Sequence, residues 1–116
     1  MAELSVNAQT YKLPESARNN ARQVLEWREK HGGEVKGMTE VGWRRARQLA
    51  DNAEVGLDTI KKMSGFIRHE GYYKKARAKQ KQEGNPPWTY PAIVAWLGWG
   101  GDSGIAWARK ISEANP

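Results

Sequence analysis

Glycine and proline divide this sequence into short segments, and that division limits the folds open to it. The breaks fall at Pro14, Gly32-Gly33, residues 84–87, Pro91 and Gly100-Gly101. Proline is tolerated in the first turn of a helix, whereas glycine readily adopts the left-handed conformation that ends one. Between the breaks, apolar residues recur at helical spacing. The sequence therefore predicts several short helices packed around one core.

Capping residues and apolar spacing predict five helices along the chain. They are expected near residues 14–31, 39–50, 57–67, 91–97 and 102–111. The third has the clearest apolar stripe, formed by Ile60, Met63, Phe66 and Ile67. The fourth is apolar on every side, so we expect it at the centre of the fold. The sequence has no internal repeat and no convincing strand pattern.

Two stretches have weaker patterns. Residues 72–83 contain strong helix formers but almost no apolar stripe, which leaves a solvated helix and a mobile loop both open. Residues 1–12 show no periodicity and predict a flexible N-terminal arm without a role in the fold. The predicted fold class is all-α. It is a compact bundle of four to five short helices in one domain over residues 13–116, carrying the arm and the basic loop or solvated helix.

Several classes of function are excluded or disfavoured by what the sequence lacks. Without cysteine it has no disulfide, thiolate metal site or cysteine nucleophile. No apolar run approaches a membrane span and no signal peptide is recognisable, so we expect a cytoplasmic protein without a membrane partner. His31 and His69 do not lie at metal-ligand spacing, and no nucleophile elbow or phosphate-binding loop is present. We therefore expect no metal, no cofactor and no enzymatic activity.

Positive charge is concentrated in the middle of the chain. The net charge is +6 overall, yet residues 44–81 alone carry eleven Lys and Arg against four Asp and Glu. Such asymmetry is typical of a surface that attracts an anionic partner. The candidate nucleic-acid-binding residues are Arg44, Arg45, Arg47, Lys61, Lys62, Arg68, Lys74, Lys75, Arg77, Lys79 and Lys81.

The second and third predicted helices resemble a helix-turn-helix in outline. Lys61 and Lys62 face away from the apolar stripe of the third helix, and the arginines of the second helix are expected to face outward as well. The connection over residues 51–57 is longer than the usual turn of three or four residues. Two interpretations stay open: the third helix reads a DNA groove, or these charges simply solvate the outer faces of a bundle.

Aromatic side chains flank the basic stretch, with Tyr72 and Tyr73 before it and Trp88 and Tyr90 after it. Aromatics in such positions stack on nucleic-acid bases, dock onto protein partners or pin a loop to the core. These four residues are therefore candidates for stacking or docking, with the third role left open. The six tryptophans of the chain are expected mainly to fill the core.

Parts of the sequence resemble a small helical module that is widespread in tailed-bacteriophage genomes. The resemblance covers about residues 37–108 and is carried by the runs Val41-Gly42-Trp43-Arg44-Arg45-Ala46, Thr59-Ile60-Lys61-Lys62-Met63 and Trp99-Gly100-Gly101-Asp102. That module occurs alone or attached to phage proteins such as head-assembly components, and its function is not established. The resemblance implies a phage origin and a helical fold. The basic segment from Lys74 to Lys81 departs from that module in a region that varies within it, so a role assigned there would be peculiar to this chain.

Two functional hypotheses follow. The first is a phage-encoded protein of the host cytoplasm or virion that binds nucleic acid, DNA rather than RNA, mainly through phosphate contacts. The second is a virion or assembly protein that docks onto a phage or host protein through aromatic anchors. Either is expected as a monomer or small homo-oligomer. The first hypothesis requires cations from separate stretches to meet on one surface of the folded chain.

Overall fold

The computed structural model describes residues 9–116, which form six α-helices, three short 3-10 turns and one β-ribbon. The helices are α1 (Glu15–His31), α2 (Glu40–Asp51), α3 (Leu57–Gly65), α4 (Glu70–Glu83), α5 (Pro91–Gly98) and α6 (Gly101–Ala114). The 3-10 turns are Gly32–Glu34, Phe66–His69 and Pro87–Thr89, and the strands are β1 (Thr10–Lys12) and β2 (Glu54–Gly56). The predicted all-α class and small helical bundle are confirmed.

The helix boundaries follow local chemistry. Pro14 precedes α1 in an extended conformation, and Gly32, with a φ of 52°, ends that helix. The Thr39 hydroxyl accepts a hydrogen bond of 3.1 Å from the backbone N–H of Gly42, which caps α2. Gly42 lies in the first turn of α2, where glycine weakens a helix less than it does in the interior.

The turn between α5 and α6 requires its two glycines. Gly100 and Gly101 have φ values of 115° and 69°, which side-chain-bearing residues rarely adopt. A Cβ on Gly101 would also clash with the side-chain amide of Asn20. That amide donates to the Gly100 carbonyl oxygen at 2.9 Å, which ties the turn to α1. Conformation and close approach both explain the glycine pair.

The core lies between α1 and the helices packed around it. α1 contacts α2, α5 and α6, while α3 packs mainly against α6, and α4 packs on α5. The largest fully buried side chains are Trp96, Leu49, Ile60, Met63, Ile93, Ile105, Val24 and Val94. Four of the eight belong to α5 or α6 and two to α3, so the apolar α5 is central as its sequence predicts.

The tryptophans serve the core as predicted, although to different degrees. Trp43 and Trp96 are buried, and Trp27, Trp88, Trp99 and Trp107 are half-buried against the core cluster. The basic stretch is a helix, α4, and not a loop. None of the helices within residues 9–116 is long and apolar enough to cross a bilayer.

The sequence shows no convincing strand pattern, yet strands form at residues 10–12 and 54–56. The prediction that residues 1–12 have no role in the fold is therefore wrong for residues 10–12. β1 pairs antiparallel with β2, with Tyr11 opposite Val55, and the N–H of Leu13 donates to the Ala53 carbonyl at 2.9 Å. Val55 and Leu13 are buried, which supplies the driving force for the pairing. Three residues are too few to show an alternating pattern in sequence. Residues 1–8 of the predicted arm lie outside the described residues.

Candidate nucleic-acid interface

A basic cleft lies between α2 and α3. It encloses about 320 Å³ and is lined by Val41, Arg44, Arg45, Gln48 and Lys62. The first four residues share one face of α2, because they recur at a spacing of three or four. No carboxylate lines this cleft. The fold thus brings two of the predicted arginines and one predicted lysine together across 18 positions of sequence.

Arg45 is held differently from the prediction, which placed it facing outward. Its guanidinium is half-buried and donates to the Gln48 side-chain oxygen and, at 3.3 Å, to the Thr59 hydroxyl. It also lies 5.2 Å from the centre of the Trp99 ring. Burial lowers the pKa of Arg45, and the carboxylate of Asp58 opposes that shift. Packing against Thr59 and Trp99 explains the difference, and Arg45 forms the inner wall of the basic cleft.

The other cations of α2 and α3 are exposed. Arg44 and Lys62 line the cleft, and Lys62 also forms an ion pair of 3.2 Å with Asp58 one turn earlier. Arg47 and Lys61 are exposed outside it. Arg68 donates to the backbone carbonyl of Gly65 at 2.7 Å, so it caps the end of α3.

The basic helix α4 divides its charges between two flanks. Its inner stripe is half-buried and consists of Tyr73, Ala76, Arg77 and Gln80, at the spacing of a helix face. Arg77 donates to the Tyr73 hydroxyl at 3.0 Å and to the Gln80 side chain at 3.3 Å. Arg77 is therefore partly engaged within the helix.

The exposed lysines of α4 follow from the same helical geometry. Lys74 and Lys81 are seven residues apart and share one flank, where Lys74 forms an ion pair of 3.7 Å with Glu70. Lys75 and Lys79 are four residues apart and share the other flank with Tyr72. The eleven predicted cations thus do not form a single cluster.

A second cleft, of mixed charge, lies between α4 and α6 and encloses about 510 Å³. Lys74, Arg77 and Arg109 contribute positive charge to it, while Glu70 and Asp102 contribute negative charge. The Asp102 carboxylate accepts from the Trp96 indole at 2.8 Å. The two carboxylates in this lining make it less attractive to a polyanion than the basic cleft.

Three of the four predicted aromatic contact residues are engaged within the fold. The Tyr90 side chain is buried and donates to Glu83 at 2.6 Å, and this hydrogen bond together with burial raises the pKa of Tyr90. Trp88 stacks on His31 with ring centres 3.8 Å apart, and Tyr73 stacks on Trp96 at 5.2 Å. Only Tyr72, which is 66% exposed, is open to a partner. Trp88, Tyr73 and Tyr90 therefore act as anchors to the core.

The structure also contains an aromatic groove that sequence analysis missed. It encloses about 470 Å³ and is lined by Gly37, Met38, Thr39, Phe66, His69, Tyr72, Pro91, Ala92, Ala95 and Trp99. The sequence predicts Phe66 in the apolar stripe of the third helix and gives His69 no place in a binding site. Both belong to a 3-10 turn that follows α3, and both line this groove. The cluster of Phe66, His69 and Tyr72 at three-residue spacing was the available signal.

Ion pairing differs between the middle of the chain and its ends. Glu15 pairs with Arg18 and Arg22, and Glu26 pairs with Lys30, all within α1. Arg109 pairs with Glu113 within α6. Among the predicted central cations, Lys62 and Lys74 alone have a carboxylate within 4.0 Å when residues 9–116 are considered. Glu15, Glu26 and Glu113 thus pair within their own helices, whereas Asp102 lines the mixed-charge cleft together with Lys74 and Arg77.

The helix-turn-helix interpretation has no geometric support. The connection between α2 and α3 contains strand β2, which pairs with β1, and α3 packs mainly against α6. A helix-turn-helix instead packs its two helices across a short turn.

In the part of the chain that the structure covers, no three His, Asp or Glu side chains gather as they would around a metal ion. Comparison with models of protein families, with curated proteins and with solved structures finds no match for this chain. The resemblance to a phage module therefore stays a prediction.

Proposed function

We propose that this chain is a phage-encoded protein, of the host cytoplasm or virion, that binds nucleic acid mainly through phosphate contacts. The observation that carries the proposal is the basic cleft, where Arg44, Arg45 and Lys62 converge without a lining carboxylate. Half-burial of Arg45 strengthens its interaction with an anion, because less water screens it. Guanidinium groups bind phosphate oxygens through charge-assisted hydrogen bonds.

Charge distribution on the rest of the surface supports the same proposal. Lys75, Lys79 and Lys81 are exposed and have no carboxylate within 4.0 Å among the described residues. Cations that contact phosphates release the counterions condensed on a nucleic-acid backbone. Binding through phosphates predicts slight sequence specificity.

A salt titration tests the proposal. Affinity for a fluorescent DNA oligonucleotide, measured by anisotropy from about 50 to 300 mM salt, should fall linearly on a log–log plot. The double variant Arg44→Gln, Lys75→Gln should reduce the magnitude of that slope by about 1 per contact removed. Parallel titrations with RNA should show the same salt dependence, and the ratio of the two affinities gives the preference for DNA.

A matched control separates local contacts from total charge. The double variant Lys30→Gln, Lys110→Gln also removes two positive charges, but from exposed positions outside the basic middle. This variant should keep the wild-type slope. Salt-independent binding, or equal losses in the two double variants, would remove the basis of the proposal.

The alternative function, docking onto a phage or host protein, is favoured by one observation. Val41 and Tyr72 are the large hydrophobic side chains exposed within residues 9–116, at 52% and 66%. Such side chains anchor protein interfaces. The alternative predicts a phage or host protein that stays bound to the wild-type chain after nuclease treatment and is lost with Tyr72→Ala. Loss of all binding after nuclease treatment argues against it.

A further inference from the structure

We infer that the protein prefers single-stranded over double-stranded nucleic acid, with unpaired bases stacking in the aromatic groove and phosphates contacting cations at its two ends. This inference rests on the proposed function and specifies its ligand. It follows from three features of the molecule: the row of rings in the groove, the junction of the groove with the basic cleft, and the lysines beside Tyr72.

The rings of the aromatic groove form a continuous row. Trp99 and Phe66 stack with centres 5.0 Å apart and planes 12° apart. The Phe66 and His69 centres are 4.4 Å apart with planes tilted by 34°, and those of His69 and Tyr72 are 6.2 Å apart with planes tilted by 41°. The row ends at Tyr72, which is two-thirds exposed. A flat ligand can extend this row by stacking on its exposed end.

The lining of the groove suits a base. No lining residue carries a carboxylate, and apart from Thr39, His69, Tyr72 and Trp99 the lining side chains have no nitrogen or oxygen atom. Its volume of about 470 Å³ falls in the range of small-molecule sites, about 300–1,000 Å³. Every base has an aromatic face, so stacking here would tolerate any sequence.

The groove meets the basic cleft at one residue pair. Arg45 lines the basic cleft, and its guanidinium lies 5.2 Å from the centre of the Trp99 ring, which lines the groove. The basic cleft, which Arg44 and Lys62 also line, therefore adjoins the Trp99 end of the row. These cations match the phosphates that follow a stacked base.

Cations also lie at the opposite end of the row. Lys75 and Lys79 follow Tyr72 by three and seven residues on α4, so the three side chains share one flank. Both lysines are exposed. Positive charge thus brackets the rings on two sides, which is the arrangement that single-strand sites combine with stacking platforms.

A duplex can contact the cations through its phosphates, but its bases cannot stack on the rings. Its bases are paired and stacked inside the helix, so they reach a protein ring only after being flipped out. A single strand gains the stacking of at least one base in addition to the phosphate contacts. One stacked base corresponds to an affinity gain on the order of tenfold to a hundredfold.

The experiment compares three probes at one salt concentration: a single-stranded 12-mer, the duplex of the same sequence, and a 12-mer abasic strand. The abasic strand keeps the phosphates and lacks the bases. We expect the single strand to bind at least about tenfold more tightly than the other two. Tyr72→Leu should reduce single-strand affinity towards the duplex value and leave duplex affinity and its salt slope unchanged. Tyr72→Phe is the matched control, since it keeps the ring and should bind as wild type.

The outcomes separate the inference from the proposed function. Equal binding of all three probes with steep salt dependence overturns the single-strand preference and leaves phosphate binding standing. A preference for single strands that Tyr72→Leu does not reduce overturns the assignment to the aromatic groove. No binding of any probe at low salt overturns both the single-strand preference and the proposed binding of nucleic acid. The alternative function, docking onto a protein, would then be favoured. Because Tyr72 is exposed, the variants should melt within a few degrees of wild type, which circular dichroism checks.

Discussion

Replacing Gly104 with alanine should destabilise the fold, although alanine is the better helix former. A Cβ at position 104 in α6 would lie 2.9 Å from the Cβ of Ala17 in α1. Carbon atoms pack best at about 3.5–4.0 Å, so the contact is too short. The Ala17 methyl group is fixed to its backbone and cannot rotate away. The two helices must therefore separate, which opens gaps beside neighbouring core residues.

The size of the effect is set by two opposing terms. Overpacking in a core costs about 1–3 kcal/mol, while replacing glycine by alanine inside a helix gains about 1 kcal/mol. We expect a net loss of about 1 kcal/mol in the free energy of unfolding. For a chain of this length, that loss lowers the melting temperature by about 4 °C. Thermal and urea denaturation followed by circular dichroism measure both quantities.

Two further variants make this prediction refutable. Gly71→Ala is the matched control, because a Cβ on Gly71 in α4 would meet nothing within 4 Å. It should raise the free energy of unfolding by about 0.4–1 kcal/mol. Combining Gly104→Ala with Ala17→Gly restores the space, so the two substitutions should show a favourable coupling of about 1 kcal/mol. If Gly104→Ala stabilises the protein as much as Gly71→Ala does, α1 and α6 do not approach as closely as described.

Two other substitutions give measurable outcomes. Thr39→Ala removes the cap of α2 and should lower the free energy of unfolding by about 1 kcal/mol in urea denaturation, whereas Thr39→Ser should retain most of it. Tyr90→Phe removes the hydrogen bond to Glu83, which raises the pKa of Tyr90. Since the folded state favours the neutral phenol, the stability this group contributes is complete below its ordinary pKa of about 10 and is lost as pH rises through the higher folded value. The difference in stability between wild type and Tyr90→Phe should therefore shrink above about pH 10; a constant difference up to pH 11 would contradict the assigned partner.

The sequence predicted those elements whose signals are local. Thr39, Gly32 and the Gly100-Gly101 pair act on their nearest neighbours along the chain, so the helix boundaries could be read without tertiary information. The β-ribbon could not, because Tyr11 and Val55 meet only through a pairing across more than forty residues. Burial of Val55 and of the adjoining Leu13 stabilises that pairing, and neither contact can be read from the local sequence.

The candidate site was predicted in its composition but not in its arrangement. Charge asymmetry pointed to the stretch that contains Arg44 and Lys62, which the fold brings into one cleft, yet it could not show that Arg45 would turn inward towards Thr59 and Trp99. That orientation depends on which helix packs beside α2, which is a property of the whole fold. The aromatic groove was missed for the same reason, since its rings come from α4, from the 3-10 turn before it and from Trp99, the residue after α5.

The residues of α4 relate its weak packing on the core to its proposed role in binding a polyanion. A helix that served the core alone would carry aliphatic side chains on its inner stripe, where α4 has Arg77 and Gln80 beside Tyr73 and Ala76. On its outer side, Lys75 and Lys79 are like charges four residues apart, which destabilises a helix by a few tenths of a kcal/mol. Glutamate at one of these positions would stabilise α4 but would remove a cation that the proposed phosphate binding uses. Binding of a polyanion offsets the repulsion between the lysines, so α4 should be most stable when its partner is bound.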